Sequence, residues 1–239
     1  MSDISKMTKH EMGKLFDQSI IGAYPDEHVR KLAENAVKYN MRTVHPCNVH
    51  YVEIVKEVIA GTDVCLGSGA IGFPLGSDSP TVKARSAEEM VAQGARSLDL
   101  TMNYGALMTG RYSVVEEELR LFREITKGAE AKCIIEVCML TDDQIRTACK
   151  LVVQAGLDFV KSSTGQIQGP TMEQVCIILD SIKGTNTKCK VAGVKFPRPQ
   201  NAMAFLLAGV ERIGSQQCAE ILDGVDLLRE RGIIPPYQG

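Results

Sequence analysis

The chain has 239 residues, 44% of them hydrophobic, with no tryptophan and a net charge of −2. That length buries a sizeable core and suits one large domain or two small ones. With a near-neutral charge no basic face for nucleic acid is expected, and no run of ~18 apolar residues signals a membrane span.

The opening Met1-Ser2-Asp3-Ile4-Ser5-Lys6 has no apolar run, so no signal peptide is expected. Leu15 to Ile21 reads as a short strand, and Asp26 to Tyr39 as a helix with Val29, Leu32, Ala33 and Ala36 on one face. Thr43-Val44 is strand-like and runs into His45-Pro46-Cys47, and a helix follows over Val49 to Ile59. Asp63 to Leu66 opens a third strand that continues toward Ile71-Gly72-Phe73. A helix over Ala84 to Gln93 then leads to a strand at Ser97 to Leu100.

Val114 to Thr126 is an amphipathic helix, Lys132 to Val137 the fifth strand, and Asp142 to Ala155 a helix. Phe159-Val160-Lys161 is the sixth strand, with a helix over Met172 to Ile182. Cys189 to Ala192 and Arg212 to Gly214 are the last two strands, followed by helices over Gln200 to Leu207 and Cys218 to Arg229. The tail Ile233 to Gly239 cannot extend a helix through Pro235 and Pro236.

Eight strand–helix alternations predict a parallel sheet of the α/β class, closed as a (β/α)8 TIM barrel. A doubly wound open sheet is the alternative. No linker or composition shift divides the chain, so a single domain over 1–239 is expected. The eight cysteines stand singly, without Cys-x-x-Cys, which fits a reducing, cytoplasmic compartment.

In a barrel of this kind the chemistry sits at the carboxyl ends of the strands. The polar residues there are Asp17, Ser19, His45, Asp99, Asn103, Glu136, Lys161, Lys190 and Ser215. Lys161 stands out, because a long cation at the end of a buried strand needs a partner. It either snorkels or pairs with Asp158, or it is a nucleophile whose ammonium is disfavoured by a second cation. Asp99, Lys161 and Lys190, on strands four, six and seven, are placed to converge. Two lysines and an aspartate are the equipment of imine chemistry, the aspartate moving protons through a water.

Two other motifs point elsewhere. Gly67-Ser68-Gly69-Ala70-Ile71-Gly72 matches the dinucleotide fingerprint in letters but runs into Phe73-Pro74, not into a helix, so no dinucleotide cofactor is expected. His45, Cys47 and His50 lack further ligands nearby, and no metal is expected.

Nearly the whole chain resembles the 2-deoxyribose-5-phosphate aldolase family. The matching residues are Ile71 to Gly76 with Lys83, Leu98-Asp99 with Asn103 and Gly105 to Gly110, and Lys132 to Glu136. They continue with Asp158 to Gly165, Gly169 and Thr171, Lys190 with Gly193, and Ala208-Gly209 with Arg212-Ile213-Gly214. The resemblance implies a metal-free class I aldolase, with Lys161 forming the imine, Lys190 tuning it and Asp99 aiding proton transfer. It further implies cleavage of 2-deoxyribose 5-phosphate to acetaldehyde and glyceraldehyde 3-phosphate, in a homo-oligomer that needs no cofactor. The substrate-binding set it implies is Asp17, Ser19, Asn103, Thr164, Gly165, Gly193 and Ser215.

The chain departs from the family pattern at Gln18, Gln166, Val194, Gln216 and Gln217, and one extra residue lies in Lys195-Phe196-Pro197-Arg198. These changes cluster where the family grips phosphate. Arg198 or Lys195 is a replacement charge, and Lys195 is also a rival to Lys190. The alternatives are an imine lyase for another sugar or keto acid, and a catalytically silent barrel that binds a sugar phosphate.

Overall fold

The computed structural model describes residues 3–239. Met1 and Ser2, which open the stretch read above for a signal peptide, lie outside the described residues. Eight strands follow one another in chain order around a closed barrel: β1 (Phe16–Ile20), β2 (Thr43–Pro46), β3 (Cys65–Ile71), β4 (Ser97–Thr101), β5 (Glu130–Ile134), β6 (Phe159–Lys161), β7 (Lys188–Ala192) and β8 (Arg212–Ser215). The expected (β/α)8 barrel is the fold observed.

The helices are α1 (Lys9–Met12), α2 (Asp26–Lys38), α3 (Val52–Ile59), α4 (Pro80–Ala92), α5 (Tyr104–Met108) and α6 (Tyr112–Ile125). They continue as α7 (Asp142–Gln154), α8 (Met172–Ile182), α9 (Arg198–Ala208), α10 (Cys218–Asp223) and α11 (Val225–Glu230). The expected last helix is thus two, divided at Gly224. α4 begins at Pro80, earlier than Ala84, because the Ser79 side chain accepts from Val82 N–H and proline suits the first helical position. α5 lies outside the sequence reading. It starts where the Asn103 side chain accepts from Ala106 N–H.

The fold divides into two compact units, Met1–Leu66 with Val194–Gly239, and Gly67–Gly193. In the first, β1 pairs in parallel with β2 and β8, and β2 with the start of β3. α2 packs on α3 and on β1. The tail is tied down here: Gln238 N–H donates to Ser5 C=O at 2.8 Å, and Arg229 reaches the carbonyls of Ile4 and Met7.

In the second unit, β3 to β7 form consecutive parallel ladders. Every residue of β4 is buried, as a strand covered on both faces requires. α4 packs on α6 and α7 on α8. The register carries one row of partners through Asp99, Lys132 and Phe159, and the next through Thr101, Ile134, Lys161 and Lys190. Side chains two apart on a strand share a face, so these rows are successive layers on one face.

Candidate active site

The middle of β4 presents Asp99 to that face. Lys161 Nζ donates to Asp99 Oδ2 at 2.8 Å, and Lys190 Nζ donates to the same oxygen at 2.9 Å. Lys132 Nζ lies 3.5 Å from Asp99 Oδ1 and 3.0 Å from Glu130 Oε2, and it also donates to Ser97 Oγ. Asp99 is 1% exposed, Lys161 4%, and Lys132 and Lys190 0%. Three ammonium groups therefore share one buried carboxylate, with Glu130 at the edge. Lys161 does not pair with Asp158, whose carboxylate accepts from Arg123 and from Ala131 N–H.

The segment after Lys161 is fixed from the turn that follows β5. Glu136 Oε2 accepts from Thr164 Oγ1 at 2.5 Å and from Thr164 N–H at 3.1 Å. Glu136 is fully buried and holds a left-handed backbone, φ 52°, rare for a side chain of this size. That turn ends the strand short of the expected Val137. The Cys138 thiol donates to Glu136 Oε1, and burial and then the carboxylate push its pKa up. The Tyr104 phenol is raised too, first by burial and then by Glu136.

Thr164 Oγ1 also accepts from Gln166 N–H at 3.1 Å. Beyond it, Gly165 and Gly193 have φ of 80° and 75°. A Cβ on Gly169 would lie 1.8 Å from Gly193 C=O, so two bare backbones meet here with no room for a side chain.

The base of the β4 loop rests on a buried ion pair. Lys83 Nζ donates to Glu118 Oε2 at 2.5 Å and to Thr101 C=O at 2.9 Å, while Glu118 Oε1 accepts from Asn103 N–H at 2.7 Å. Burial raises the Glu118 carboxyl, against the lowering effect of Lys83. Asn103 thus serves as a helix cap on a pinned backbone.

The remaining expected residues lie in the other unit. Asp17 Oδ1 accepts from Arg212 Nη1 at 3.0 Å, and Asp17 Oδ2 is 3.4 Å from His45 Nε2. Ser19 is buried, and its carbonyl accepts from the Gln18 amide. Ser215 Oγ accepts from Gln217 N–H. Gln216 Oε1 accepts from Tyr24 Oη and Ile21 N–H. Arg198 opens α9 and lies 3.6 Å from Glu220, and Lys195 is exposed. Val194 is buried without a positive φ. His45 turns to Asp17, whereas His50 is exposed.

The sequence model of the DeoC/LacD family aldolases matches residues 31–205. The chain belongs to the DeoC/LacD aldolase family. It is 35% identical over 220 residues to a deoxyribose-phosphate aldolase of Geobacillus sp. (strain WCH70), covering 90% of this chain and 96% of that one. A deoxyribose-phosphate aldolase of Aciduliprofundum boonei is 35% identical over 227 residues, covering 93% and 100%. Among solved structures, a putative deoxyribose-phosphate aldolase from Coccidioides immitis matches with TM-score 0.86 and 27% identity over 92% of this chain and 88% of that one. The deoxyribose phosphate aldolase of Aeropyrum pernix matches with TM-score 0.83 and 23% identity, over 94% and 95%.

Within this DeoC/LacD aldolase, two buried charged side chains beside these residues, Lys132 and Glu118, are not among the site residues that the sequence offers. Lys132 was visible as a cation inside the apolar run Cys133-Ile134-Ile135. Glu118 sits on the buried face of an amphipathic helix, where a carboxylate signals a hidden partner. Glu136 was placed at a strand end, but its turn and its grip on Thr164 had no signal in the sequence.

Proposed function

We propose that this DeoC/LacD aldolase works through an imine at Lys161 and reversibly splits 2-deoxyribose 5-phosphate into acetaldehyde and glyceraldehyde 3-phosphate. The observation that supports it most is the shared oxygen: Asp99 Oδ2 holds Lys161 and Lys190 at 2.8 and 2.9 Å. A second cation this close disfavours the ammonium form of Lys161 and makes its amine nucleophilic. Lys190 has this tuning role and Asp99 the role of proton carrier.

The Lys161 nitrogen bonds to C1 of the sugar aldehyde, and the carbonyl oxygen takes a proton and leaves as water. The protonated imine then draws the electron pair of the C2–C3 bond to C2, while the 3-hydroxyl loses its proton and becomes the carbonyl of the three-carbon product. Protonation at C2 and hydrolysis release acetaldehyde and the free amine. The imine is itself the electron sink, so the scheme uses no metal or cofactor.

For the phosphate end we assign the bare backbones of Gly165 and Gly193 together with Thr164. Asp17, Ser19, Asn103, Ser215 and Arg198 complete the proposed substrate-binding set. A second reading keeps the imine and removes the phosphate from the substrate. Its support is Gln166, a neutral and exposed residue of this loop, and the pairing of Arg198 with Glu220.

We further propose that the chain acts as one domain, since the boundary between its units falls inside β3. A homo-oligomer follows the Aeropyrum pernix enzyme, described as tetrameric. A cytoplasmic setting agrees with eight free cysteines, and among the described residues no helix is long and apolar enough to cross a membrane. The partners are small-molecule aldehydes, not nucleic acid or a membrane.

The test is borohydride reduction in the presence of acetaldehyde, followed by mass mapping. A reduced two-carbon adduct is expected on the peptide holding Lys161. An adduct confined to Lys190 or Lys195 overturns the assignment.

A further inference from the structure

Among the described residues of the Gly67–Gly193 unit, two side-chain hydroxyls are fully buried and lack a hydrogen-bond partner: Thr101 Oγ1 and Ser163 Oγ. Native interiors rarely leave such groups unmatched, and each one calls for an explanation. Their positions are not scattered. Thr101 stands two residues past Asp99, and Ser163 two residues past Lys161.

Thr101 belongs to the same face of β4 as Asp99, because side chains two apart on a strand point the same way. Its register partners run through Ile134 to Lys161 and Lys190. The Lys161 side chain crosses toward β4 and ends 2.8 Å from Asp99 Oδ2. The next side chain on that face toward the strand's carboxyl end is Thr101. Its backbone is not free to swing, since its carbonyl is held by the buried Lys83. The helix-facing alternative, packing by a β-branched residue, needs the methyl groups of valine and gains nothing from a hydroxyl that burial strips of water.

We propose that Thr101 and Ser163 form a hydroxyl pair that holds the substrate oxygen on the carbon attacked by Lys161. This rests on the imine reading above. When the Lys161 nitrogen bonds to the aldehyde carbon, the former carbonyl oxygen becomes the carbinolamine hydroxyl. Thr101 and Ser163 donate to that oxygen, steadying it while it gains its second proton. The carbon–oxygen bond then breaks with its electron pair on oxygen, water departs, and the nitrogen lone pair closes the imine. The same hydroxyls receive the incoming water on hydrolysis. Asp99 and the lysines move the protons, and the hydroxyl pair orients the group that receives them.

The test compares wild type, Thr101→Val, Thr101→Ser and Ser163→Ala. Imine formation with acetaldehyde is followed by timed borohydride quench, together with kcat, KM and melting temperature. Loss of one neutral hydrogen bond to the reacting oxygen slows imine formation and lowers kcat/KM about tenfold in Thr101→Val. Melting temperature holds or rises, and Thr101→Ser stays within about threefold of wild type, since it keeps the donor. Ser163→Ala shows the same slowing and serves where Thr101→Val folds poorly. Wild-type rates of imine formation in Thr101→Val and Ser163→Ala overturn the proposal and leave the imine reading intact. Equal losses in Thr101→Val and Thr101→Ser overturn it as well, because packing would then be the cause. If wild type itself traps no adduct, the imine reading fails and this proposal falls with it.

Discussion

Lys161 and Lys190 place their ammonium nitrogens on a single oxygen of Asp99, at 2.8 and 2.9 Å. Lys132 holds the other side of that carboxylate at 3.5 Å. Lys132 is also 3.0 Å from Glu130, so two carboxylates serve three lysines in this layer. The positive charge left over favours loss of a proton from the lysine best placed to react. Lys161 is the one of the three with measurable exposure, at 4%.

Lys190→Leu therefore slows the enzyme at neutral pH. With one cation gone, Lys161 keeps its proton to higher pH, and the ascending limb of the kcat/KM profile moves toward alkali. A displacement of about one pH unit, or ~tenfold in rate at neutral pH, is expected. A pH profile of both proteins checks this, and an unmoved limb would show that burial or Lys132 tunes the nucleophile instead.

Glu136 tests whether a strained turn is kept for its side chain. Its φ of 52° suits glycine, so Glu136→Gly relaxes the backbone. It also removes the acceptor for Thr164 N–H and Oγ1. Bonds to a charged group contribute about 1.5–3 kcal/mol each, so kcat/KM falls ~10- to 100-fold although the strain is relieved. Glu136→Gln, which still accepts from Thr164, loses less. Steady-state kinetics on the two variants decide the point.

The Lys83–Glu118 pair predicts a pH-dependent instability. Lys83→Met leaves Glu118 buried without its partner and costs about 3–5 kcal/mol by urea unfolding at neutral pH. Burial already raises the Glu118 carboxyl, and loss of the lysine raises it further. A carboxyl raised in the folded state contributes stability below its unfolded pKa and loses it as pH rises through the folded one. The deficit of the variant therefore shrinks toward acid pH. A Lys83→Met, Glu118→Leu double variant recovers most of the loss at neutral pH. A deficit that stays constant with pH would count against an uncompensated charge.

Phosphate preference is read from the ratio of kcat/KM for 2-deoxyribose 5-phosphate and 2-deoxyribose. Gln166→Lys adds a cation next to Gly165, and an increase of about tenfold in that ratio is expected. Arg198→Ala lowers the ratio only if Arg198 exchanges Glu220 for the phosphate. A ratio unmoved by both changes would place the phosphate away from these residues.

The barrel was legible because its strands are short apolar runs spaced by amphipathic helices, and the family motifs gave Asp99, Lys161 and Lys190 as a set. What was hidden depended on register. Nothing in the sequence says that Asp99 and Lys132 are cross-strand partners, so the third lysine stood as one cation in an apolar strand. Lys83 and Glu118 lie 35 positions apart on different helices, and their pairing appears only when α4 packs on α6. The departures at Gln216 and Val194 fall where the family grips phosphate. In the structure Gln216 has its own partners in Tyr24 and Ile21, so its long amide has a local structural reason.

The bond from Gln238 to Ser5 brings the two extremities of the described chain within hydrogen-bonding distance. Ends this close make the order of segments a matter of choice. A linker of a few residues could join them, with new ends opened at the exposed turn around Gly128. Such a rearranged chain keeps every ladder around Asp99 while changing which strand emerges first from the ribosome.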